Sequence, residues 1–369
     1  MPSNAKTFAA GLSLVQGVWR RLKRDILLCF TGQFLCRKDQ IPEHAKRVLY
    51  VYLGTPQLGD SIMDLSARTL WSLRDIRVDM LTHPSIASFY EKDPSFHRVL
   101  SRAEDLEASY DFVVLQSYGW KCLKVKWRYF LSAPYLALHG HFYGPEFNRL
   151  VFAQRAWTGA LGLSGVSGEL QRVKSVFNLQ LDHSSKLRQP HTIALCLGGV
   201  VPWRTYAHWA EFVRSIHLAQ PDVLWVLLGA ANGLEAAKEI MAVFECFKQP
   251  PIIENLVDQL TLPQVFEKLQ TVAFVVTSDG GLMHLAKAAQ TPMVAMFAGA
   301  IHPLMRFDES DPVRVVHAPN SVNEIAPKLL TKLVIHSLED TLKFLTSSYL
   351  SNEPECSARQ REASVAVLN

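Results

Sequence analysis

What most constrains this chain is a rhythm. From residue 47 on, short runs of β-branched and aromatic residues alternate with longer amphipathic stretches. The runs are RVLYVYLG (47–54), IRVDMLTH (76–83), FVVLQS (112–117) and YLALHG (135–140). Such continuous apolar runs do not suit a sheet with one wet face. They suit parallel strands buried on both faces, with helices as crossovers. SIMDLSARTLWSLRD (61–75) reads as one such helix, with Ile62, Leu65, Thr69, Leu70 and Leu73 on one side. The rhythm restarts at HTIALCLGG (191–199), then a helix over 206–217, the strand DVLWVLLGA (222–230) and a helix over 233–247. Strands at PIIENL (251–256), AFVVTSD (273–279), PMVAMFAG (292–299) and VRVVHA (313–318) complete the second half.

The expected fold class is therefore α/β: two Rossmann-like domains with parallel sheets facing a central cleft, over 47–180 and 190–332. A polar stretch near 160–190 joins them, a helix over 333–350 is expected to cross back to the first domain, and 351–369 reads as a tail. A length of 369 residues fits two cores of ordinary size. With 49% hydrophobic and 20% charged residues, the body has the composition of a globular protein. No apolar run approaches the ~20 residues that span a bilayer. The cysteines (Cys29, Cys36, Cys122, Cys196, Cys246 and Cys356) form no C-x-x-C pair, and several lie in apolar runs as small buried hydrophobes. Together with the lack of a secretory signal, they fit a reducing cytoplasm.

Residues 1–47 hold nine Lys/Arg against Asp25, Asp39 and Glu43, whereas the remainder carries 29 basic against 31 acidic residues. The basic character thus belongs to an N-terminal extension (1–46), and the body shows no nucleic-acid face. Within the extension Phe8, Leu12, Val15, Trp19, Leu22 and Ile26 form one helical stripe, with Arg20, Arg21, Lys23 and Arg24 near its end. This pattern suits either an anionic membrane surface or the protein's own core.

Chemistry is expected where strands meet helices, because ligands of open α/β sheets bind at the carboxyl ends of the strands. In VVTSDGGLMHLAKAAQTP (275–292) a strand ends at Asp279. Gly280 and Gly281 then open a helix with accessible N–H donors, and His284 lies in its first turn, a pattern suited to phosphate. In LGTPQLGDSIMDL (53–65), Gly59 and Asp60 open a helix. Asp60 is either an N-cap or a carboxylate facing the cleft to take a proton from a hydroxyl. In LCLGGVVPWRTYAHW (195–209), Gly198 and Gly199 allow close approach of a diphosphate that Arg204 neutralises; a plain turn with a solvated arginine fits as well. Gly229 ends a strand beside a small-residue loop. His139 and His141 lack a third metal ligand in the sequence. Neither a G-x-G-x-x-G turn, a G-x-x-x-x-G-K-[ST] loop nor a G-x-S-x-G elbow is present. No Asp-x-Asp suited to holding a divalent cation is evident, so a metal-free mechanism is expected.

These motifs converge. LGDSIMDLSA, YDFVVLQS, LGAANGLEAAKEI, NLVDQLTLPQVFEKL and, above all, VVTSDGGLMHLAKAAQTPMVAMFAG resemble the bacterial lipopolysaccharide heptosyltransferases, glycosyltransferase family 9, over about residues 47–345. The last segment matches the family's Asp-x-Gly-x-x-His-x-x-x-Ala pattern. The resemblance implies a GT-B architecture, acceptor domain first and nucleotide-sugar domain second, and an inverting, metal-independent transfer. Asp60 matches the family's proposed general base, and Asp279, Gly281 and His284 match positions that hold the donor's diphosphate and sugar. Arg204, Gly198, Gly199, Gly229 and Gly280 complete the donor side. Gly59, Gln116, His139 and His141 are expected on the acceptor side. The implied donor is a nucleotide-diphosphate heptose, ADP-linked as first choice, and the acceptor is the lipopolysaccharide inner core. No further cofactor is implied, and the expected location is the inner face of the inner membrane. A same-fold transferase with another sugar or a protein acceptor, or a catalytically silent binding subunit, is the alternative. The chain departs from the family at Pro202-Trp203-Arg204-Thr205 and at Phe297-Ala298-Gly299, both on the donor side.

Overall fold

The computed structural model describes residues 14–54, 57–139, 148–163, 188–299, 301–307 and 311–351, apart from the side chains of 14–17, 20, 21 and 344–351. Phe8, Leu12, His141, Glu309, the stretch 164–187 between the halves and the tail beyond 351 lie outside the described residues, as does the side chain of Val15. In chain order the first half holds α1 (Leu14–Phe30), α2 (Gln33–Cys36), β1 (Arg47–Tyr52), α3 (Leu58–Asp64), β2 (Arg77–Thr82), α4 (Pro84–Tyr90), β3 (Arg98–Leu100), β4 (Phe112–Leu115), α5 (Trp120–Tyr129), β5 (Tyr135–Ala137) and α6 (Arg149–Ala160). The second half holds β6 (Gln189–Cys196), α7 (Trp209–Ala219), β7 (Leu224–Leu228), α8 (Leu234–Glu245), β8 (Ile253–Asn255), α9 (Leu262–Thr271), β9 (Val272–Ser278), α10 (Gly281–Ala288), β10 (Met293–Ala298), β11 (Val313–Ala318) and α11 (Pro327–Ser351).

The strands form two sheets, ordered β3-β2-β1-β4-β5 and β11-β10-β9-β6-β7-β8, and every pairing is parallel. Strand order reverses between β1 and β4 in the first sheet and between β6 and β9 in the second. A crevice opens at the carboxyl ends of the strands at such a reversal. The segments leaving β1 and β9 there are those that carry Asp60 and Asp279. Burial explains the continuous apolar runs: every residue of β9 and of β10 is buried. Local chemistry sets the helix starts. Thr261 and Gln264 form a capping box ahead of α9, and the Asn148 side chain accepts from the Leu150 N–H at the start of α6.

One sequence reading needs correction, and others are sharpened. The helix read over 61–75 ends at Asp64, and a tighter 3₁₀ segment, Arg68–Arg74, follows. Its three-residue repeat brings Arg68 and Trp71 to the same edge, where Arg68 pairs with the buried Asp93 and the Trp71 indole N–H donates to the Ser95 carbonyl at 2.7 Å. α11 packs mainly on α7 and across β6, β9 and β10 of its own half. Cys122 and Cys196 are buried as expected, but Cys29 and Cys246 are exposed. Of the N-terminal stripe, the described side chains Trp19, Leu22 and Ile26 stay out of the core, at 55%, 48% and 46% exposed. The helix is anchored instead by Leu28, which joins a cluster with Val51, Leu115 and Leu123.

The halves share an apolar seam. Phe89 of α4 and Phe266 of α9, both buried, meet edge to face with centroids 5.9 Å apart. One cluster of buried side chains continues through this contact from the first half into the second.

Candidate active site

Across the seam's polar side, α3 packs against α10. Gly59 is what lets them approach: a Cβ at that position would lie 2.5 Å from Cδ2 of the His284 ring. The segment carrying Asp60 is therefore held directly over the first turn of α10. Gly280, extended at φ −176°, is the residue before α10 and supplies no side-chain cap, so among the described residues the first-turn N–H groups have no side-chain acceptor. His284 is 4% exposed. Burial, reinforced by Arg306, Lys287, Arg149 and Arg204, pushes its imidazole pKa well below the usual value. The ring is therefore neutral at pH 7 and hydrogen-bonds without bringing charge.

Two arginines flank this turn. Arg204 Nη1 lies 3.2 Å from Asp279 Oδ2, and Arg306 Nε lies 3.7 Å from Asp279 Oδ1. Charge neutralises charge, but the alignment is poor. Asp279 Oδ2, Arg204 Nε and Arg306 Nε are buried with no hydrogen-bond partner among the described residues. Orphaned polar groups of this kind are costly without a ligand to pair them. Lys287 fixes the Arg306 segment by donating to the Arg306 carbonyl at 2.9 Å and to Asp311 at 2.6 Å. Arg306 has no spacing signal in the sequence; only the fold brings it here.

On the first half's side a second unforeseen arginine organises the carboxylates. Arg149, at the start of α6, makes two 2.8 Å hydrogen bonds to Asp64 and an ion pair to Asp60. Asp60 is not an N-cap: it lies inside α3, with its side chain 27% exposed. Asp64 is fully buried and also accepts from the Tyr52 hydroxyl at 3.0 Å. Burial raises the Asp64 pKa, but Arg149 and the hydrogen bonds outweigh it and hold the carboxyl below its ordinary value. Burial lowers the His139 pKa against the pull of Asp64. With a neutral imidazole, the 4.0 Å approach of His139 Nε2 to Asp64 is not an ion pair, and Arg149 supplies the compensating charge.

The remaining expected site residues do other work. Gln116 is fully buried; it accepts from the Gly54 N–H at 2.6 Å and donates to Asp64 at 3.4 Å, bracing the loop after β1 from behind. Gly198 adopts φ +83°, and a Cβ there would lie 2.7 Å from Asn232 Oδ1. A Cβ on Gly199 would meet Thr205 Oγ1 at 2.4 Å, and one on Gly229 the Leu197 carbonyl at 2.9 Å. These glycines let the loops after β6 and β7 pack together. The structure thus gathers Gly59, Asp60, Asp279, Gly280, Gly281, His284 and Arg204 at one junction. Gln116 and His139 stand behind it.

Known proteins resemble this chain in fold and in part of its sequence. Residues 166–307 match the family model described as glycosyltransferase family 9 (heptosyltransferase). A 95-residue stretch is 34% identical to lipopolysaccharide heptosyltransferase 2 of Salmonella typhimurium, covering 26% of this chain and 26% of that protein. The chain therefore spans about a quarter of the length of the curated relatives it matches. A glycosyltransferase family 9 structure from Veillonella parvula superposes with a TM-score of 0.65 at 13% identity, over 82% of this chain and 100% of that one. The E. coli heptosyltransferase WaaC solved with ADP-2-deoxy-2-fluoro heptose gives a TM-score of 0.61 at 17% identity, over 79% and 99% of the two chains. These structures share the GT-B arrangement of two parallel sheets. The match to the glycosyltransferase family 9 model thus lies in the half that holds Asp279 and His284, and the fold around it is the one these structures share.

Proposed function

We propose that this chain is an inverting glycosyltransferase that moves a heptose from an ADP-linked donor to the inner core of lipopolysaccharide, at the cytoplasmic face of the inner membrane and without a metal. The observation that carries the reading is the contact of α3 with α10, which holds a carboxylate opposite an uncapped helix start flanked by two arginines. In this reading Asp60 takes the proton of the acceptor hydroxyl as its oxygen attacks the anomeric carbon. The bond from that carbon to the diphosphate oxygen breaks on the opposite face, so configuration inverts. The departing diphosphate gains negative charge, which the α10 N–H groups, Arg204 and Arg306 stabilise in place. His284, neutral, donates a hydrogen bond to a phosphate or sugar oxygen. Arg149 orients Asp60 through the same guanidinium that holds Asp64. Support for a metal-free route comes from these pairings, since the carboxylates at the junction are already compensated by guanidinium groups. ADP as the leaving group follows the relative solved with an ADP sugar. Contact with the bilayer that carries the acceptor is assigned to the exposed stripe of α1 and its adjoining basic residues.

The test is Asp60→Asn. Turnover of ADP-heptose should fall by about 10²- to 10⁴-fold, the usual contribution of a general base, while ADP affinity stays within about twofold. Full activity in this variant removes Asp60 as the base.

A further inference from the structure

The N-terminal extension builds a cleft that the reaction centre does not use. It has a volume of about 450 Å³. It is lined by the end of β5 and the segment that follows, Leu136 to His139, by Tyr118 and by α6. Four cationic side chains line it, Arg24, Arg37, Lys38 and Arg155, against one carboxylate, Asp39. The arrangement is fixed by backbone bonds. Residue 37 bridges to Tyr135 at the edge of the first sheet, and the Lys38 N–H donates to the Tyr135 carbonyl at 2.7 Å. The Ile41 N–H then donates to the Ala160 carbonyl of α6, also at 2.7 Å. Arg24 and Arg37 both lie over the Tyr118 ring, 4.8 and 5.6 Å from its centroid. Arg24 is paired with Asp25 at 2.6 Å, whereas Arg37 and Lys38 have no ion pair among the described residues.

Bringing like charges together has a cost that an anion would offset. A guanidinium over an aromatic ring can still present N–H groups to oxygen acceptors; Arg24 gives its edge to Asp25, and Arg37 has no ion pair among the described residues. The cleft also touches the acceptor side of the reaction centre. His139 lines it, the Phe152 ring lies against His139 with centroids 5.6 Å apart, and His139 approaches Asp64, which shares Arg149 with Asp60. We infer that this cleft binds an anionic group of the acceptor saccharide, a phosphate or a sugar carboxylate, next to the residue that is glycosylated. Its assignment to the acceptor rests on the reading of Asp60 as the base. The anion site itself rests on Arg24, Arg37, Lys38, Arg155 and Tyr118 alone.

Calorimetric titration of the full-length protein, with ADP saturating the donor side, tests it using two probes: glucose 6-phosphate and galacturonic acid. At least one should bind with a dissociation constant below about 10 mM, and the one that binds identifies phosphate or carboxylate as the group recognised. In Arg37→Gln/Lys38→Gln, whose side chains are at the surface, that affinity should weaken at least about tenfold while ADP affinity is unchanged. Arg155→Gln, altered on α6, should weaken it as well. Binding of neither probe, or equal binding by wild type and both variants, overturns the site. Loss of probe binding in these variants alongside a fully active Asp60→Asn upholds the anion site and removes only the base.

Discussion

Gly59→Ala separates folding from function in a way few substitutions do. The new Cβ would lie 2.5 Å from His284 Cδ2 and 3.3 Å from Nε2, where an ordinary carbon contact needs about 3.5–4.0 Å. About 1 Å of separation must be found, and His284 is buried in a helix that packs on α3. Overpacking of this kind costs about 1–3 kcal/mol. Within α3 itself, Ala is favoured over Gly by about 1 kcal/mol. The first half therefore gains stability while the closed junction loses it. If α3 and α10 move apart to relieve the clash, the melting temperature should stay within about 4 °C of wild type. The kcat/KM should fall by about 5- to 150-fold, since each 1.4 kcal/mol is about a factor of ten. Initial rates of ADP release, set beside calorimetric melting, give both numbers. In a His284→Ala background the ring is gone, so adding Gly59→Ala should cost nothing further. Wild-type kcat/KM in Gly59→Ala, or fully additive losses in the double variant, refutes the contact as the determinant of closure.

Asp79 makes stability acid-sensitive. Burial raises its pKa, but hydrogen bonds from His97, Arg98 and Tyr110 outweigh burial and hold the carboxyl below its ordinary value. A depressed carboxylate contributes stability above its unfolded pKa of about 4, and loses it as pH falls through the folded value. Urea midpoints should thus drop on the acid side, and Asp79→Asn should flatten that drop while lowering stability at pH 7; an unchanged acid limb counts against the pairing. At α1, the triple substitution Trp19→Ser, Leu22→Ser and Ile26→Ser removes exposed apolar groups that pack little on the fold. Flotation with vesicles containing phosphatidylglycerol should decline at an unchanged melting temperature, whereas equal flotation removes this face as the membrane contact.

The site was legible where its chemistry is local. Asp279, Gly280, Gly281 and His284 fall within six residues, because a strand end, an uncapped turn and a helix start are one continuous device. The strand pattern was equally plain, since burial on both faces writes itself as unbroken apolar runs. Arg149 and Arg306 were not legible. Arg149 lies 89 residues from the Asp60 it pairs with, and no spacing announces such a partnership. Gln116, expected on the acceptor side, spends its amide on Gly54 and Asp64. The stretch 61–75 carried a helical stripe, but the demand of Arg68 for Asp93 and of Trp71 for Ser95 wound it more tightly. Local propensity lost to two buried long-range contacts.

The aromatic contact between Phe89 and Phe266 gives the two halves a greasy spine and a wet fore-edge. Parting them along the spine would expose side chains whose burial is worth about 1.5–3 kcal/mol each. Parting them at the fore-edge separates Gly59 from His284, Leu58 from Gly281 and Met63 from Arg306, while the ion pairs of Asp60 and Asp279 each stay within one half. Opening is therefore cheapest as a book opens, by rotation about the Phe89–Phe266 line, and the pages that separate first are those bearing Asp60 and His284.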